Sequence, residues 1–125
     1  MMTFLKHNVV VVQPHGRLDE AGGQALKQAL HKLSQDDRTR WMVDLSRVDF
    51  IDTAGLGSLV NGLQLAKMHQ RHFVLHDPHP CVKLVLEITG LDEVFEIVDA
   101  RHLAQVMSTD VSEYADAALL SQSAA

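Results

Sequence analysis

One aspartate and one threonine interrupt an apolar stretch near the middle of the chain. The stretch reads VDFIDTAGLGSLV over residues 48–60, and the interruption is the pair Asp52-Thr53, which is followed by Gly55 and Gly57. A hydroxyl that is exposed at the start of a helix, beside backbone without side chains, is a good acceptor for a phosphoryl group. The added charge of about −1.5 to −2 lies favourably in the field of the helix N-terminus, so the helix survives the modification. The stretch therefore predicts a threonine that can be phosphorylated.

The same threonine also fits a structural role. A strand-like run precedes Thr53 and a helical period follows it, so its hydroxyl can cap the helix and stabilise it by about 1 kcal/mol. A cap does not require glycines in the first turn, where each costs up to about 1 kcal/mol relative to alanine. We therefore interpret Gly55 and Gly57 as residues that allow another surface to approach the hydroxyl. Two nearby polar residues are expected to have other roles: Ser58 is a packing or surface residue, and Asp44 forms hydrogen bonds in a turn.

Composition restricts what the chain can be. Its 125 residues, of which 46% are hydrophobic and 22% charged, suit one globular domain. The net charge of −5 and the absence of a basic stripe in the sequence argue against nucleic acid as a partner. The single cysteine, Cys81, excludes an intrachain disulfide, and no apolar run approaches the roughly 18 residues needed to span a bilayer. These features together predict a cytoplasmic protein that is not inserted in a membrane.

The elements that position Asp52-Thr53 follow from the hydrophobic periods along the chain. The predicted strands cover residues 3–6, 9–12, 41–45, 72–77 and 94–98. The predicted helices cover residues 21–34, 53–69, 82–89 and 99–107, with Gly90 as a left-handed cap at the end of the third. The alternation of strands and helices predicts a small α/β domain with a mixed β-sheet of four to five strands and about four helices.

Three motifs resemble those of one known family. They are VDLSRVDFIDTAGLGSLV at 43–60, GRLDEAGG at 16–23 and ITGLDEVFEIV at 88–98. In order and spacing they are similar to motifs of STAS domains, most closely those of bacterial anti-sigma-factor antagonists, and the resemblance covers about residues 3–107. It implies a STAS domain over residues 1–107 and a C-terminal tail over 108–125, either frayed or helical only with a partner.

The resemblance also implies a mechanism of partner switching. In such proteins the unphosphorylated antagonist binds an anti-sigma factor that is a serine/threonine kinase, and this binding frees the sigma factor. The kinase ends the interaction by phosphorylating the antagonist, and a PP2C-type phosphatase restores it. In this sequence the implied phosphorylation site is Thr53. The implied partner-binding residues are Asp19, Asp52, Thr53, Ala54, Gly55, Leu56 and Gly57.

The sequence departs from the commonest family pattern at two positions. The pattern usually has serine where this chain has Thr53, often followed by a second hydroxyl where this chain has Ala54. Threonine also occurs in STAS proteins of stress-signalling complexes and in the STAS subunit of a phospholipid-transporting ABC system. The alternative function is therefore a non-phosphorylated STAS subunit that docks on an ABC-transporter ATPase or a stress-signalling complex. A third possible function is that of a small-molecule sensor. Separately, Asp19 has an alternative role, of at least equal weight, as the N-cap of the first helix.

Enzymatic and metal-binding functions have weaker support in the sequence. Asp52-Thr53 has no neighbouring histidine to act as a base, and its glycines do not match the phosphate-binding pattern GxxxxGK[ST]. We expect the protein to have no catalytic activity and no cofactor, and to be a substrate of a kinase and a phosphatase. The spacing of His69, His72, His76 and His79 could bring some imidazoles together, yet no cysteine or glutamate completes a compact site. We expect these histidines to be solvated and to bind no metal, and the sequence leaves a homodimer open.

Overall fold

A five-stranded mixed sheet lies at the centre of the structure, a computed structural model that describes residues 1–6, 9–33 and 40–99. In chain order the elements are β1 (Met2–Lys6), β2 (Val9–Gln13), β3 (Gly16–Leu18), α1 (Glu20–Leu33), β4 (Arg40–Asp44), β5 (Val48–Ile51), α2 (Thr53–Met68), β6 (His72–His76), α3 (Pro80–Thr89), a 3-10 turn (Leu91–Glu93) and β7 (Glu96–Val98). The sheet order is β1-β2-β4-β6-β7, in which only the β1–β2 pair is antiparallel. β3 and β5 form a separate two-stranded parallel sheet.

Continuous apolar runs place three strands in the middle of the main sheet. All five residues of β2 are buried, and β4 and β6 each have four consecutive buried residues. Strands that are covered on both faces need apolar side chains at successive positions rather than at every second one. Helices α1 and α2 pack against each other and add their buried leucines to the core, among them Leu26, Leu30 and Leu59.

The start of α2 lies close against α1. A Cβ atom at Gly23 of α1 would be 3.3 Å from both the carbonyl oxygen of Ala54 and the Cβ of Ser58, so glycine allows the two helices to approach. Ser58 is buried, and its hydroxyl donates a hydrogen bond of 2.6 Å to the carbonyl oxygen of Gly55. Of the two roles expected for Ser58, a packing or a surface residue, the structure shows packing.

Most of the predicted architecture is confirmed. The mixed α/β sheet is present, the three described helices lie within two residues of their predicted bounds, and Gly90 caps α3 with a φ of 78°. The prediction omitted β3 and gave no separate bounds for β5, two short strands that pair with each other. The predicted tail (108–125) lies outside the described residues, as does the predicted last helix (99–107) apart from its first residue. No helix in the described part of the chain is long and apolar enough to cross a membrane.

Candidate functional site

The small β3–β5 sheet positions two aspartates at one edge of the domain. β3 leads through Asp19 into α1, and β5 leads through Asp52 into α2. The parallel register pairs Leu18 with Ile51, so the aspartates that follow these two residues occupy equivalent places at the end of the pair. The two helices therefore begin at the same edge of this sheet. The site is thus built by two short strands whose bounds were not predicted from the sequence.

The cap of α2 differs from the prediction. Asp52, not Thr53, is the N-cap: its backbone is extended (φ −121°, ψ −170°), and its carboxylate accepts a hydrogen bond of 3.0 Å from the N–H of Gly55. Thr53 is the first residue of the helix and is exposed. An N-cap carboxylate satisfies the N–H three residues on, so the helix does not need the threonine hydroxyl. That hydroxyl is therefore accessible to another molecule.

Asp19 serves α1 in the same way. Its carboxylate accepts a hydrogen bond of 3.1 Å from the N–H of Gly22, so the alternative role as N-cap is the one the geometry supports. This hydrogen bond, assisted by Arg17, lowers the pKa of Asp19. Arg17 Nε lies 3.5 Å from the carboxylate, and its guanidinium lies 3.9 Å from the centroid of the Phe50 ring. The sequence analysis did not single out Arg17 and Phe50, because their contact depends on the pairing of β3 with β5.

The two glycines after Thr53 have different environments. A Cβ atom at Gly55 would lie 1.9 Å from the carbonyl oxygen of Leu18 and 2.9 Å from Cγ1 of Ile51, so Gly55 is required by packing inside the domain. The interpretation of Gly55 as an opening for a partner is corrected accordingly. A Cβ atom at Gly57 would meet nothing within 4 Å, and Gly57 is exposed. Only Gly57 fits the interpretation that a glycine leaves room for another surface.

The remaining predicted contacts divide in the same way. Ala54 is exposed beside Thr53, whereas Leu56 is 9% exposed and belongs to the core. Leu56 is therefore not available to a partner in this conformation, which corrects the sequence expectation. The exposed and half-exposed members of the predicted set are here called the Thr53 surface. They are Asp19, Asp52, Thr53, Ala54 and Gly57.

A buried polar cluster lies at the ends of three neighbouring strands, on β2, β4 and β6. Gln13 donates a hydrogen bond of 2.8 Å to Asp44, the N–H of Ser46 donates one of 3.0 Å, and Nδ1 of His76 lies 3.5 Å from the same carboxylate. Burial raises the pKa of Asp44, but the adjacent imidazole of His76 and the hydrogen bonds from Ser46 and Gln13 outweigh burial and lower it to about 2. The predicted turn contact of Asp44 is confirmed, but most of its partners come from other strands. The cluster therefore ties the strand ends together.

Acid is expected to weaken the fold through Asp44. The folded pKa of about 2 lies below the ordinary value of 3.8, so the stabilising contribution of the carboxylate is complete above about pH 4 and is lost as pH falls toward 2. The contribution at neutral pH is roughly 2 kcal/mol. Urea unfolding at several pH values should give a smaller acid-dependent loss for Asp44→Asn than for the wild type. The exposed Asp92→Asn variant is the control, and equal pH dependence in all three proteins would contradict the assignment.

The histidines that suggested a metal site have separate roles. His79 caps α3 by accepting a hydrogen bond of 3.2 Å from the N–H of Cys81, and His69 follows the last residue of α2. Nε2 of His72 contacts the carboxylate of Glu96, and His76 is 3% exposed within the polar cluster. The expectation of solvated histidines is therefore wrong for His76. Across residues 1–6, 9–33 and 40–99, no group of three or more histidine, cysteine, aspartate or glutamate side chains is placed to hold a metal ion.

The fold and the Thr53 surface define a small α/β domain in which an exposed hydroxyl begins a helix that an aspartate caps. Its family follows from comparison with known proteins, since residues 1–106 match the family model described as "Mlab, STAS domain". The chain belongs to the STAS domain family.

Several relatives and solved structures are similar to this chain. The anti-sigma-B factor antagonist of Listeria monocytogenes is 28% identical over 82 residues, which cover 66% of this chain and 72% of the relative. The crystal structure of an anti-sigma factor antagonist from Mycobacterium paratuberculosis has a TM-score of 0.69 and is 28% identical, covering 78% of this chain and 82% of that one. The phosphorylated form of the Bacillus cell fate determinant SpoIIAA has a TM-score of 0.63 over 79% of this chain and 89% of that one. Because SpoIIAA is only 19% identical to this chain, the comparison shows a shared fold and nothing more.

Proposed function

We propose that this chain is an anti-sigma-factor antagonist that binds a serine/threonine-kinase-type anti-sigma factor and is released when Thr53 is phosphorylated. The observation that carries the proposal is the position of Thr53, exposed at the first residue of α2 while Asp52 supplies the cap. A hydroxyl that the helix does not need is free to be modified without loss of structure. The similar proteins from Listeria and Mycobacterium are named as anti-sigma factor antagonists.

Electrostatics around Thr53 make phosphorylation an effective switch. A phosphoryl group adds about −1.5 to −2 charge and three acceptor oxygens, and the helix N-terminus tolerates that charge. Asp52 comes directly before Thr53 and adds negative charge there, whereas Arg17 partly offsets the charge of Asp19. A partner that fits the neutral threonine would meet added volume and like charge together. Reducing its occupancy from about 99% to 1% needs roughly a 10⁴-fold change in affinity, which clashes and desolvation within one interface can supply.

The chain itself needs no catalytic group for this function. A protein kinase provides the metal ions and the base, so the acceptor contributes only a hydroxyl of suitable position. A PP2C-type phosphatase would restore the binding form. The Bacillus SpoIIAA protein has been solved in both unphosphorylated and phosphorylated forms, so a protein of the same fold can carry this modification.

The proposal is tested with a Thr53→Ala variant. This variant should bind the kinase-type partner like the wild type, because the alanine keeps the surface neutral and Asp52 still caps α2. When ATP and magnesium are added, the wild type should be phosphorylated and released, whereas the variant should stay bound in a pull-down with the purified kinase. Release of the variant at the wild-type rate would show that another event ends the interaction.

A second function is favoured by Thr53 itself, because threonine at this motif position resembles the STAS subunit of a phospholipid-transporting ABC system. In this alternative the chain is a STAS subunit held on an ABC-transporter ATPase, and Thr53 is a permanent contact rather than a switch. The exposed small residues Ala54 and Gly57 would suit such a contact. Co-purification separates the two functions, because a transporter ATPase retained equally with and without Thr53 phosphorylation would support the subunit.

A further inference from the structure

A shallow groove runs along the outside of α1 and α2, starting beside Thr53. Its volume is about 470 Å³. Its rims include Gln24 and Lys27 of α1 and Ala54, Gly57, Asn61 and Gln64 of α2. The α2 residues are spaced by three, four and three positions, so they lie on one face of that helix. The groove is thus formed by matching faces of the two helices whose starts define the Thr53 surface.

We propose that this α1–α2 groove selects the kinase-type partner by holding a segment of it that carries an acidic side chain opposite Lys27. The inference rests on the proposed function and extends it beyond Thr53. The groove and the Thr53 surface are continuous, since Ala54 and Gly57 belong to both. A protein that covers Thr53 therefore reaches the groove without a gap.

Gly57 supports the use of the groove as a contact surface. Glycine in a helix costs up to about 1 kcal/mol relative to alanine, and the open space around Gly57 gives no internal reason for it. The absence of a side chain lowers the rim where the groove meets Thr53. This lets the backbone of a partner cross from the hydroxyl into the groove.

Charge along the groove indicates the chemistry of the occupant. Glu20 gives negative charge to its end nearest Thr53, and the two capping aspartates lie just outside the groove at that end. Farther along, Lys27 lines the groove, and an adjoining depression shares Lys27 and Asn61 and adds Lys32. The charge along the groove thus changes from negative to positive, and a partner segment with an acidic side chain opposite Lys27 would match the positive part. The side-chain amides of Gln24, Asn61 and Gln64 both donate and accept hydrogen bonds. A partner that leaves some of these amide groups without a hydrogen bond would bind less tightly, so the amides discriminate between partners.

The groove and the hydroxyl would have different roles. Phosphorylation changes the charge at Thr53, but it leaves the groove contacts intact. The groove can therefore decide which kinase binds, while Thr53 decides when it leaves. Substitutions in the groove should weaken binding and raise the KM for Thr53 phosphorylation with little effect on kcat.

The test uses the purified kinase-type protein that retains the Thr53→Ala variant in the presence of ATP. Its affinity is measured by calorimetry for the full-length wild type and for Lys27→Glu, Asn61→Arg and Lys83→Glu. Lys83→Glu makes the same charge reversal on the exposed face of α3, away from the groove, and is the matched control. We expect Kd to rise at least 10-fold for Lys27→Glu and Asn61→Arg and to stay within about twofold for Lys83→Glu. Thermal unfolding of each variant verifies that it is folded.

The outcomes distinguish the groove from the switch. Groove variants that bind like Lys83→Glu, while Thr53 still controls release, would overturn the inference and leave the proposed function standing. If the loss of affinity in Lys27→Glu does not become smaller at high salt, the inference that an acidic side chain of the partner lies opposite Lys27 is wrong. A groove variant that changes self-association but not kinase binding would assign the groove to a second copy of the chain. If no kinase modifies Thr53, the proposed function fails and the inference fails with it.

Discussion

Replacing Thr53 with glutamate is expected to weaken binding of the kinase-type partner at least 30-fold without unfolding the domain. The side chain is exposed at the first position of α2, where negative charge is favourable to the helix. The partner, in contrast, would bury an extra carboxylate beside the carboxylate of Asp52. Truncating or mispairing a buried charge at an interface costs roughly 2–5 kcal/mol, which corresponds to at least a 30-fold change. A true phosphoryl group carries more charge, so its effect should be larger.

Two neutral variants separate charge from shape in this experiment. Thr53→Gln has the size of the glutamate without its charge, and Thr53→Val keeps the branched shape without the hydroxyl. Calorimetric titration should place Thr53→Gln between the wild type and Thr53→Glu, with Thr53→Val close to the wild type. Thermal unfolding should give similar midpoints for all of them, since Asp52 supplies the cap. Wild-type affinity for Thr53→Glu would mean that charge at this position does not control the partner.

Replacing Gly55 with alanine is expected to destabilise the fold by about 3 kcal/mol. The new Cβ atom would lie 1.9 Å from the carbonyl oxygen of Leu18, so either β3 or the start of α2 has to move. The matched variant Gly57→Ala places the same methyl group two residues later in open space. It should be neutral or stabilise the protein by up to about 1 kcal/mol, because alanine is the better helix former.

Chemical denaturation of the two alanine variants provides the measurement. The free energies of unfolding should change in opposite directions or, at the least, differ by more than about 2 kcal/mol. Similar stabilities would show that β3 does not contact the helix start as described. Gly57→Ala should also weaken partner binding, so stability and binding should change independently at this position.

The sequence predicts the larger elements well because their signals are physical and local. The valines of β2 and the apolar runs of β4 and β6 are continuous, which is typical of strands covered on both faces. The end of α3 was predicted from Gly90 because few residues other than glycine adopt its positive φ. The position of Thr53 at the start of a helix was predicted from the change of period after residue 52.

The details of the site could not be predicted because they depend on contacts between distant parts of the chain. β3 has three residues, and only its pairing with β5 makes it a strand. The requirement for Gly55 comes from Leu18, which lies far away in sequence. Likewise, the His76 side chain is buried because β4 and β6 bring it to Asp44. Spacing alone suggested that it was a surface histidine.

One motif thus combines two kinds of constraint. Asp52 and Gly55 are needed to build the start of α2 against β3, whereas Thr53, Ala54 and Gly57 face outward. From the motif alone, all of them are expected to contact the partner. The structure divides them because burial separates residues that are neighbours in the chain. The outward-facing group is where regulation can act without a cost to folding.

The central claim is that Thr53 is a phosphorylation switch, and mass spectrometry of the protein from its own host tests it most directly. The protein is isolated from growing and from stressed cells, the peptide that contains Thr53 is mapped, and co-purifying proteins are identified. We predict a phosphoryl group on Thr53 whose occupancy changes between the two conditions, with the kinase-type partner enriched when occupancy is low. An unmodified Thr53 in every condition, together with a constant partner, would contradict the switch and favour the permanent subunit.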